Sequence, residues 1–136
     1  MQKKKDCTQV YTKEEEILIF REAWNDFKNS KRLVYRLAPL AVMFQFLTGV
    51  RIGELCALKF DDVENGVLHV VRMLQRDSDK VVEHTKSHED RDVLLTDAAL
   101  DIIEVARAYQ EEHGCKGEYI FSTTEEALSY AETNIL

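Results

Sequence analysis

The feature that most constrains this chain is residues 46–60, which read F-L-T-G-V-R-I-G-E-L-C-A-L-K-F. An almost unbroken apolar run over residues 37–47 leads into Thr48 and Gly49. Glycine readily adopts the left-handed conformation that closes helices, so a helix is expected to end at Gly49. Apolar side chains then recur at helical spacing, at Ile52, Leu55, Cys56 and Leu58. The pattern predicts two helices that meet at a glycine corner, with Cys56 as a small core residue.

Arg51 falls in this corner, at or just before the N-terminus of the second helix. A cation beside the positive end of a helix is mildly unfavourable, whereas a guanidinium and helix amides together bind anions well, and Arg forks onto phosphate. The ordinary alternative is that Arg51 extends into solvent or pairs with Glu54, three residues further along the same face. Glu54 in turn either holds Arg51 or another site residue in place, or is a surface helix acid.

The first third of the chain predicts two helices. Residues 1–10 are polar and basic and are interpreted as a flexible linker. Thr12 and Glu15 form a capping box, which marks a helix start, and apolar residues follow on one face at Ile17, Phe20, Trp24 and Phe27. A polar loop over 28–32 precedes a central helix over 33–47, which Pro39 either opens in its first turn or kinks.

The second half predicts a small sheet and one clear helix. Asp61 or Asp62 is available to cap a turn, Asn65-Gly66 is a turn signal, and β-rich runs follow at 67–74, 80–85 and 91–95. They predict a three-stranded antiparallel meander with a loop over 86–90. Thr96 or Asp97 then caps a helix that is expected to end near Gly114. An apolar stretch follows at residues 119–121, and residues 123–131 are expected to form a last helix. The predicted class is α+β, mainly helical, with helices around the small sheet.

Length and charge limit the functional classes. The chain has 136 residues, enough for one domain, and a net charge of −7 argues against a sequence-independent nucleic-acid binder. The charge is uneven, with 11 Lys and Arg against 7 Asp and Glu in residues 1–60, and 7 against 18 in the remainder. The basic excess therefore lies in the half that carries Arg51. Three cysteines without paired spacing, no long apolar run and no signal-peptide pattern predict a cytoplasmic protein.

Residues 48–63, T-G-V-R-I-G-E-L-C-A-L-K-F-D-D-V, are similar to the first signature box of the tyrosine recombinases, the phage-integrase and transposon-integrase family. The order of predicted elements also fits: two helices, the box, a sheet with a lysine in its second loop, a capped helix and an I-F-S segment. The resemblance covers the chain from about residue 11 onward. It implies residues 11–136 as the N-terminal portion of a catalytic domain whose enzyme breaks and rejoins DNA through a phosphotyrosyl intermediate.

The resemblance also implies two catalytic residues. The family's box arginine clamps the scissile phosphate, and Arg51 matches it; the family's loop lysine protonates the leaving 5′ oxygen, and Lys86 matches it. A guanidinium stabilises the negative charge that builds on the phosphate oxygens during attack, and an amine can protonate an alkoxide.

The chain departs from the family's pattern at its end. A His-x-x-Arg box, a further His or Trp and a tyrosine nucleophile are expected after the I-F-S segment, and none is recognised in residues 123–136. Tyr109, Tyr119 and Tyr130 lie before the place where that box should begin, so they are interpreted as core or surface aromatics. The hypothesis is a domain truncated before the nucleophile and inactive alone.

The expected partner is DNA, with no cofactor. The resemblance implies a parent that is tetrameric on paired DNA sites, bacterial or phage-derived, and a fragment that is monomeric. His69, His84 and His88 lack a metal-ligand spacing suited to a strand and loop, so no metal is expected. The alternatives are a non-catalytic DNA-binding or protein-interaction domain on the recombinase scaffold, and a type IB topoisomerase.

Overall fold

The structure is a computed structural model that describes residues 11–29, 37–75, 78, 80–85 and 90–128. It contains four α-helices: α1 Lys13–Asn29, α2 Ala38–Thr48, α3 Ile52–Cys56 and α4 Asp97–Glu112. A short 3-10 helix spans Phe60–Asp62. The strands are β1 Val63–Glu64, β2 Val67–Val70, β3 Met73–Leu74, β4 Val81–Val82 and β5 Arg91–Leu94. The predicted linker 1–10 lies outside the described residues.

The central helix α2 forms the middle of the core, as its apolar sequence predicts. Leu37, Leu40, Met43 and Phe44 are fully buried, and α2 packs against α1 on one side and α4 on the other. Pro39 lies in the first turn, where its missing N–H costs no helical hydrogen bond. Of the two predicted alternatives for Pro39, the structure shows the first turn and not a kink. The helix begins at Ala38, after Leu37 as N-cap, so the predicted start at residue 33 is too early; residues 33–36 lie outside the described part.

The predicted N-terminal caps are present at α1 and α4, the two helices that pack against α2. In α1 the capping box is complete, because Glu15 N donates to Thr12 Oγ1 at 3.1 Å and Thr12 N donates to Glu15 Oε1 at 2.8 Å. In α4 Ala99 N donates to Thr96 Oγ1 at 3.2 Å. Asp62, one of the two predicted turn caps, accepts from Lys59 N at 2.9 Å.

A three-stranded antiparallel sheet is present, but the predicted meander of the runs 67–74, 80–85 and 91–95 is wrong, because the run 80–85 does not belong to it and β1 does. The sheet order is β1, β2, β5, while β3 and β4 form a separate pair. The run 67–74 is thus the shared strand, pairing with β5 through its first half and β4 through its second. Asn65 and Gly66, at φ 55° and 79°, form the turn between β1 and β2.

The break in the run 67–74 falls on a charged residue. Leu68, Val70 and Leu74 are buried, so the alternation also turns position 72 inward, where the chain has Arg72. Its side chain is 12% exposed, and Nη1 lies 2.5 Å from Asp62 Oδ2. A buried guanidinium requires such a partner. The strand pairing is interrupted where this ion pair is made.

The predicted last helix over 123–131 is wrong for residues 123–128, which have no regular structure; residues 129–131 lie outside the described part. Ser122 Oγ donates to Glu126 O at 2.5 Å, and Glu126 N donates to Thr124 Oγ1 at 3.2 Å. Hydroxyl side chains thus take the backbone bonds that a helix would use. The apolar stretch 119–121 is confirmed, since Ile120 and Phe121 are buried.

Candidate functional site

The corner between α2 and α3 positions Arg51. Gly49 closes α2 at φ 74°, and its N–H donates to Gln45 O. The Gln45 side chain then holds the next peptide, because Nε2 donates to Val50 O at 3.1 Å, and Val50 is buried. Arg51 follows in an extended conformation, φ −72° and ψ 154°, directly before α3. The predicted glycine corner and the position of Arg51 in it are confirmed.

The Arg51 guanidinium is exposed, although its backbone is held. Arg51 N donates to Glu54 Oε1 at 2.9 Å, which fixes the backbone at the start of α3. Arg51 Nη1 lies 3.9 Å from Glu54 Oε2, too far for a hydrogen bond, and the side chain is 55% exposed. More than half of the Arg51 side-chain surface is therefore exposed, while its backbone is fixed at the start of α3.

Glu54 is a buried charge, not a surface helix acid. Its side chain is 1% exposed and accepts a two-pronged fork from Arg91, with Nη2 2.7 Å from Oε1 and Nη1 2.8 Å from Oε2. Burial raises the pKa of Glu54, but the hydrogen bonds from Arg91 and from the Arg51 amide outweigh it, so the pKa lies below 4.5. Glu54 is therefore ionised at neutral pH and joins α3 to β5.

The role of Arg91 is not visible in the sequence. The sequence predicts only that Arg91 begins a strand, which is correct, since Arg91 opens β5 and pairs in register with Val70. The missed signal was Glu54 itself: an acid in an otherwise apolar short helix needs a cation from elsewhere in the chain. The sequence contains no short-range indication of which cation supplies that charge.

Lys86, the second predicted catalytic residue, lies outside the described residues, and its assignment stays a prediction. The described residues on either side of it are anchored. Thr85 is fully buried, and Arg91 is held by the fork to Glu54. These two anchored residues lie one position before and five positions after Lys86 in the sequence.

Two of the described histidines form hydrogen bonds with nearby oxygen atoms. His69 Nδ1 lies 2.7 Å from Asp92 Oδ1, and His84 Nδ1 lies 3.0 Å from Thr85 O; His88 lies outside the described residues. Within the ranges that the structure describes, no group of three or more His, Cys, Asp or Glu side chains is arranged to hold a metal ion. Cys56 is buried in the core, as predicted.

Two of the three tyrosines that were interpreted as core or surface aromatics are described, and both fit that interpretation. Tyr109 is buried and stacks on His113 at 4.0 Å between ring centroids. The Tyr119 ring lies 5.4 Å from Lys59 Nζ. Tyr130 lies outside the described residues.

None of the helices in the described part of the chain is long and apolar enough to cross a membrane.

Comparison with solved structures shows which proteins share this fold. Among solved structures, the chain is similar to the Tn1549 transposon integrase in complex with transposon right end DNA, at TM-score 0.69 and 16% identity, covering 97% of this chain and 44% of that one. It is also similar to the XerA recombinase, at TM-score 0.54 and 22% identity, covering 98% and 41%. The chain thus spans less than half the length of these structures.

The sequence comparisons address the family directly. No curated protein sequence matches the chain closely. Residues 10–134, by contrast, match the model of the phage integrase family, so the match includes the glycine corner, the sheet and α4. The chain therefore belongs to the phage integrase family.

Proposed function

We propose that this chain is part of a site-specific DNA recombinase and that Arg51 binds the scissile phosphate. The observation that supports this most is the state of Arg51, whose backbone is bonded to buried Glu54 while its guanidinium is 55% exposed. An exposed guanidinium on a fixed backbone is well suited to bind an external anion. The Tn1549 integrase, which has the same fold, is described in complex with DNA, which agrees with a nucleic-acid partner.

The proposed chemistry requires such a group. Attack on a phosphodiester builds negative charge on the nonbridging oxygens, and a guanidinium already in place stabilises that charge more in the transition state than in the ground state. Arg can place two parallel N–H bonds on two phosphate oxygens, which a lysine ammonium cannot. Arg51 is thereby proposed as a catalytic residue that needs no metal ion.

Lys86 is proposed as the general acid that protonates the leaving 5′ oxygen. Its amine is suited to this step because the leaving alkoxide is far more basic than an ammonium group. The burial of Thr85 and the fork from Arg91 to Glu54 support the proposal, since they fix the chain one residue before and five residues after Lys86.

We further propose that the chain corresponds to the N-terminal portion of a catalytic domain, preceded by a flexible linker at 1–10, and that the parent acts in the cytoplasm as a tetramer on paired DNA sites. The chain covers 44% of the Tn1549 integrase chain, which agrees with a portion of a domain. The second box and the nucleophilic tyrosine would then lie in a further segment. Residues 1–136 alone are expected to bind DNA as a monomer without cleaving it.

The role of Arg51 is tested by measuring how tightly the chain binds a fluorescein-labelled DNA duplex. Binding is followed by fluorescence anisotropy at several salt concentrations. Arg51→Ala is expected to weaken binding by about tenfold, and to lower the slope of log K against log salt by about one. The matched control is Arg21→Ala, which removes an exposed arginine from α1. Equal affinities for Arg51→Ala and Arg21→Ala would refute the proposal.

Catalysis by the parent is tested separately from binding. The DNA that follows codon 136 is sequenced; a His-x-x-Arg box and a late tyrosine support the enzyme, whereas an immediate stop codon supports the non-catalytic domain. If the tyrosine is present, the longer protein is assayed with Lys86→Ala on duplex DNA and on DNA whose leaving oxygen is replaced by sulfur. A thiolate leaves without a proton, so the sulfur substrate should restore cleavage by Lys86→Ala. Equal loss on both substrates would exclude Lys86 as the acid.

A further inference from the structure

Two arginines from distant parts of the chain share one buried carboxylate. Glu54 Oε2 is 2.8 Å from Arg91 Nη1 and 3.9 Å from Arg51 Nη1. Glu54 Oε1 accepts from Arg91 Nη2 and from the Arg51 amide. Among the described acidic residues, Glu54 is the one that lies within ion-pair distance of Arg51. The three side chains together carry one net positive charge.

The carboxylate is already satisfied by Arg91. A guanidinium fork with two parallel bonds is the strongest geometry that a carboxylate can accept, and it neutralises the charge of Glu54. Arg51 consequently gains little by moving from 3.9 Å into contact, because it would lose hydration and side-chain freedom for a carboxylate whose charge is already compensated.

The situation reverses when Arg91 is removed. A buried carboxylate without a partner is strongly unfavourable, and a nearby cation is drawn to it. Arg51 is connected to Glu54 through its amide and can reach Oε2 by a small side-chain movement. It would then pair with Glu54 and lose the charge that it offers to an external anion.

We propose that Arg91 is a positioning residue of the anion site: its fork on Glu54 neutralises the carboxylate beside Arg51 and leaves the Arg51 guanidinium available to a DNA phosphate. The proposal rests on the proposed function of Arg51. β5 holds Arg91 in place, because Arg91 is paired in register with Val70, which is fully buried. Arg91 acts through Glu54 and does not itself need to contact the DNA.

The experiment compares Arg91→Met, Glu54→Gln and the double variant in the same duplex-binding assay. Arg91→Met keeps much of the side-chain length and removes the fork; it is expected to weaken binding by about tenfold, like Arg51→Ala. Glu54→Gln keeps an oxygen that accepts from the Arg51 amide but removes the charge. The double variant Glu54→Gln with Arg91→Met is expected to recover affinity to within about twofold of the original chain.

The outcomes separate the two proposals. If the double variant binds as weakly as Arg91→Met, Arg91 contacts DNA itself or supports the fold, and the positioning proposal is overturned. If Arg51→Ala binds like the original chain, the proposed function fails, whatever Arg91 does. Arg91→Met added to Arg51→Ala should cause no further loss; an additional tenfold loss would also overturn the proposal.

Folding is checked by circular dichroism, because Arg91→Met leaves a buried charge. The double variant avoids this problem, since it removes both partners of the pair. Arg91→Lys gives a second test: it keeps a neutralising charge near Glu54 without the fork. Its affinity is expected within about threefold of the original chain, and a loss as large as that of Arg51→Ala would contradict the proposal.

Discussion

At the scale of single residues, three arginines differ in how closely each is paired with an acidic side chain. Arg72 and Arg91 are each committed to an internal acid, Asp62 and Glu54 respectively, and are 12% and 37% exposed. Arg51 is 55% exposed, and among the described residues its ion pair is the long one to Glu54, at 3.9 Å. Arg72 pairs with Asp62, whereas Arg51 and Arg91 share Glu54. Arg91 makes the close fork to that carboxylate, and Arg51 stays 3.9 Å from it. An exposed arginine beside an acid that is already paired is the observation on which the proposed phosphate binding rests.

A prediction at this scale concerns His69 on the exposed surface of β2. The hydrogen bond from its ring to Asp92 raises the pKa of His69 above 6.5, with smaller contributions from Glu64 and Asp62. Asp92→Asn is therefore expected to lower the pKa of His69 towards 6.5, measured by NMR titration of the ring protons. Since the raised pKa stabilises the fold when His69 is protonated, this contribution is present below pH 6.5 and lost as the pH rises through the folded-state pKa. An unchanged midpoint in Asp92→Asn would contradict the assignment.

At the scale of elements, the segment that follows α4 is held by backbone contact. Residues 118–120 run beside residues 58–60, with Phe60 N donating to Glu118 O at 3.1 Å and Ile120 N donating to Leu58 O at 2.9 Å. The buried Gln110 side chain adds to this, because Nε2 donates to Tyr119 O and Ile120 O. The segment thus attaches the end of the signature box to α4.

The prediction at this scale is that any side chain at Gly117 destabilises the fold. A Cβ at this position would lie 2.2 Å from Thr124 O, a backbone atom, so the loop over 117–124 would have to open. Gly117→Ala is expected to cost about 1–3 kcal/mol of unfolding free energy, as overpacking does, measured by urea denaturation. The control is Lys116→Ala at the exposed neighbouring position, which should change stability by less than about 0.5 kcal/mol. Equal costs at both positions would contradict the close approach.

At the scale of the whole molecule, one core joins both halves of the chain. Phe44 in α2 contacts Phe121 at 5.4 Å between ring centroids, and Phe27 in α1 contacts Tyr109 in α4 at 5.8 Å. Leu128 is fully buried, and its N–H donates to Cys56 O at 3.2 Å, directly behind α3. The last described residues therefore support the helix that carries Glu54 and follows Arg51.

The prediction at this scale compares two leucines. Leu128→Ala removes a fully buried side chain and is expected to cost about 2–5 kcal/mol of unfolding free energy. Leu94→Ala is the matched control, because Leu94 is 80% exposed on the edge strand β5 and should cost less than about 0.5 kcal/mol. Both are measured by urea denaturation with tryptophan fluorescence. Similar costs for the two variants would show that residues 127–128 are not part of the core.

The sequence by itself determined the features that depend on neighbours along the chain. The glycine corner, the capping box at Thr12 and the position of Arg51 all follow from interactions over a few residues. For Pro39 the sequence left two positions open, and the structure chose the first turn of α2. The resemblance of residues 48–63 to a recombinase box agrees with the family match over residues 10–134.

The tertiary structure alone decided the features that depend on distant partners. The run 67–74 pairs with two different strands, and the break between them falls where Arg72 meets Asp62. Hydroxyl bonds around Ser122 stand over residues 123–128 in place of the expected helix. Above all, Glu54 and Arg91 lie 37 residues apart, and no local pattern pairs them. The physical reason is that a buried charge requires an opposite charge in space, and the chain position from which that charge comes is set by the fold.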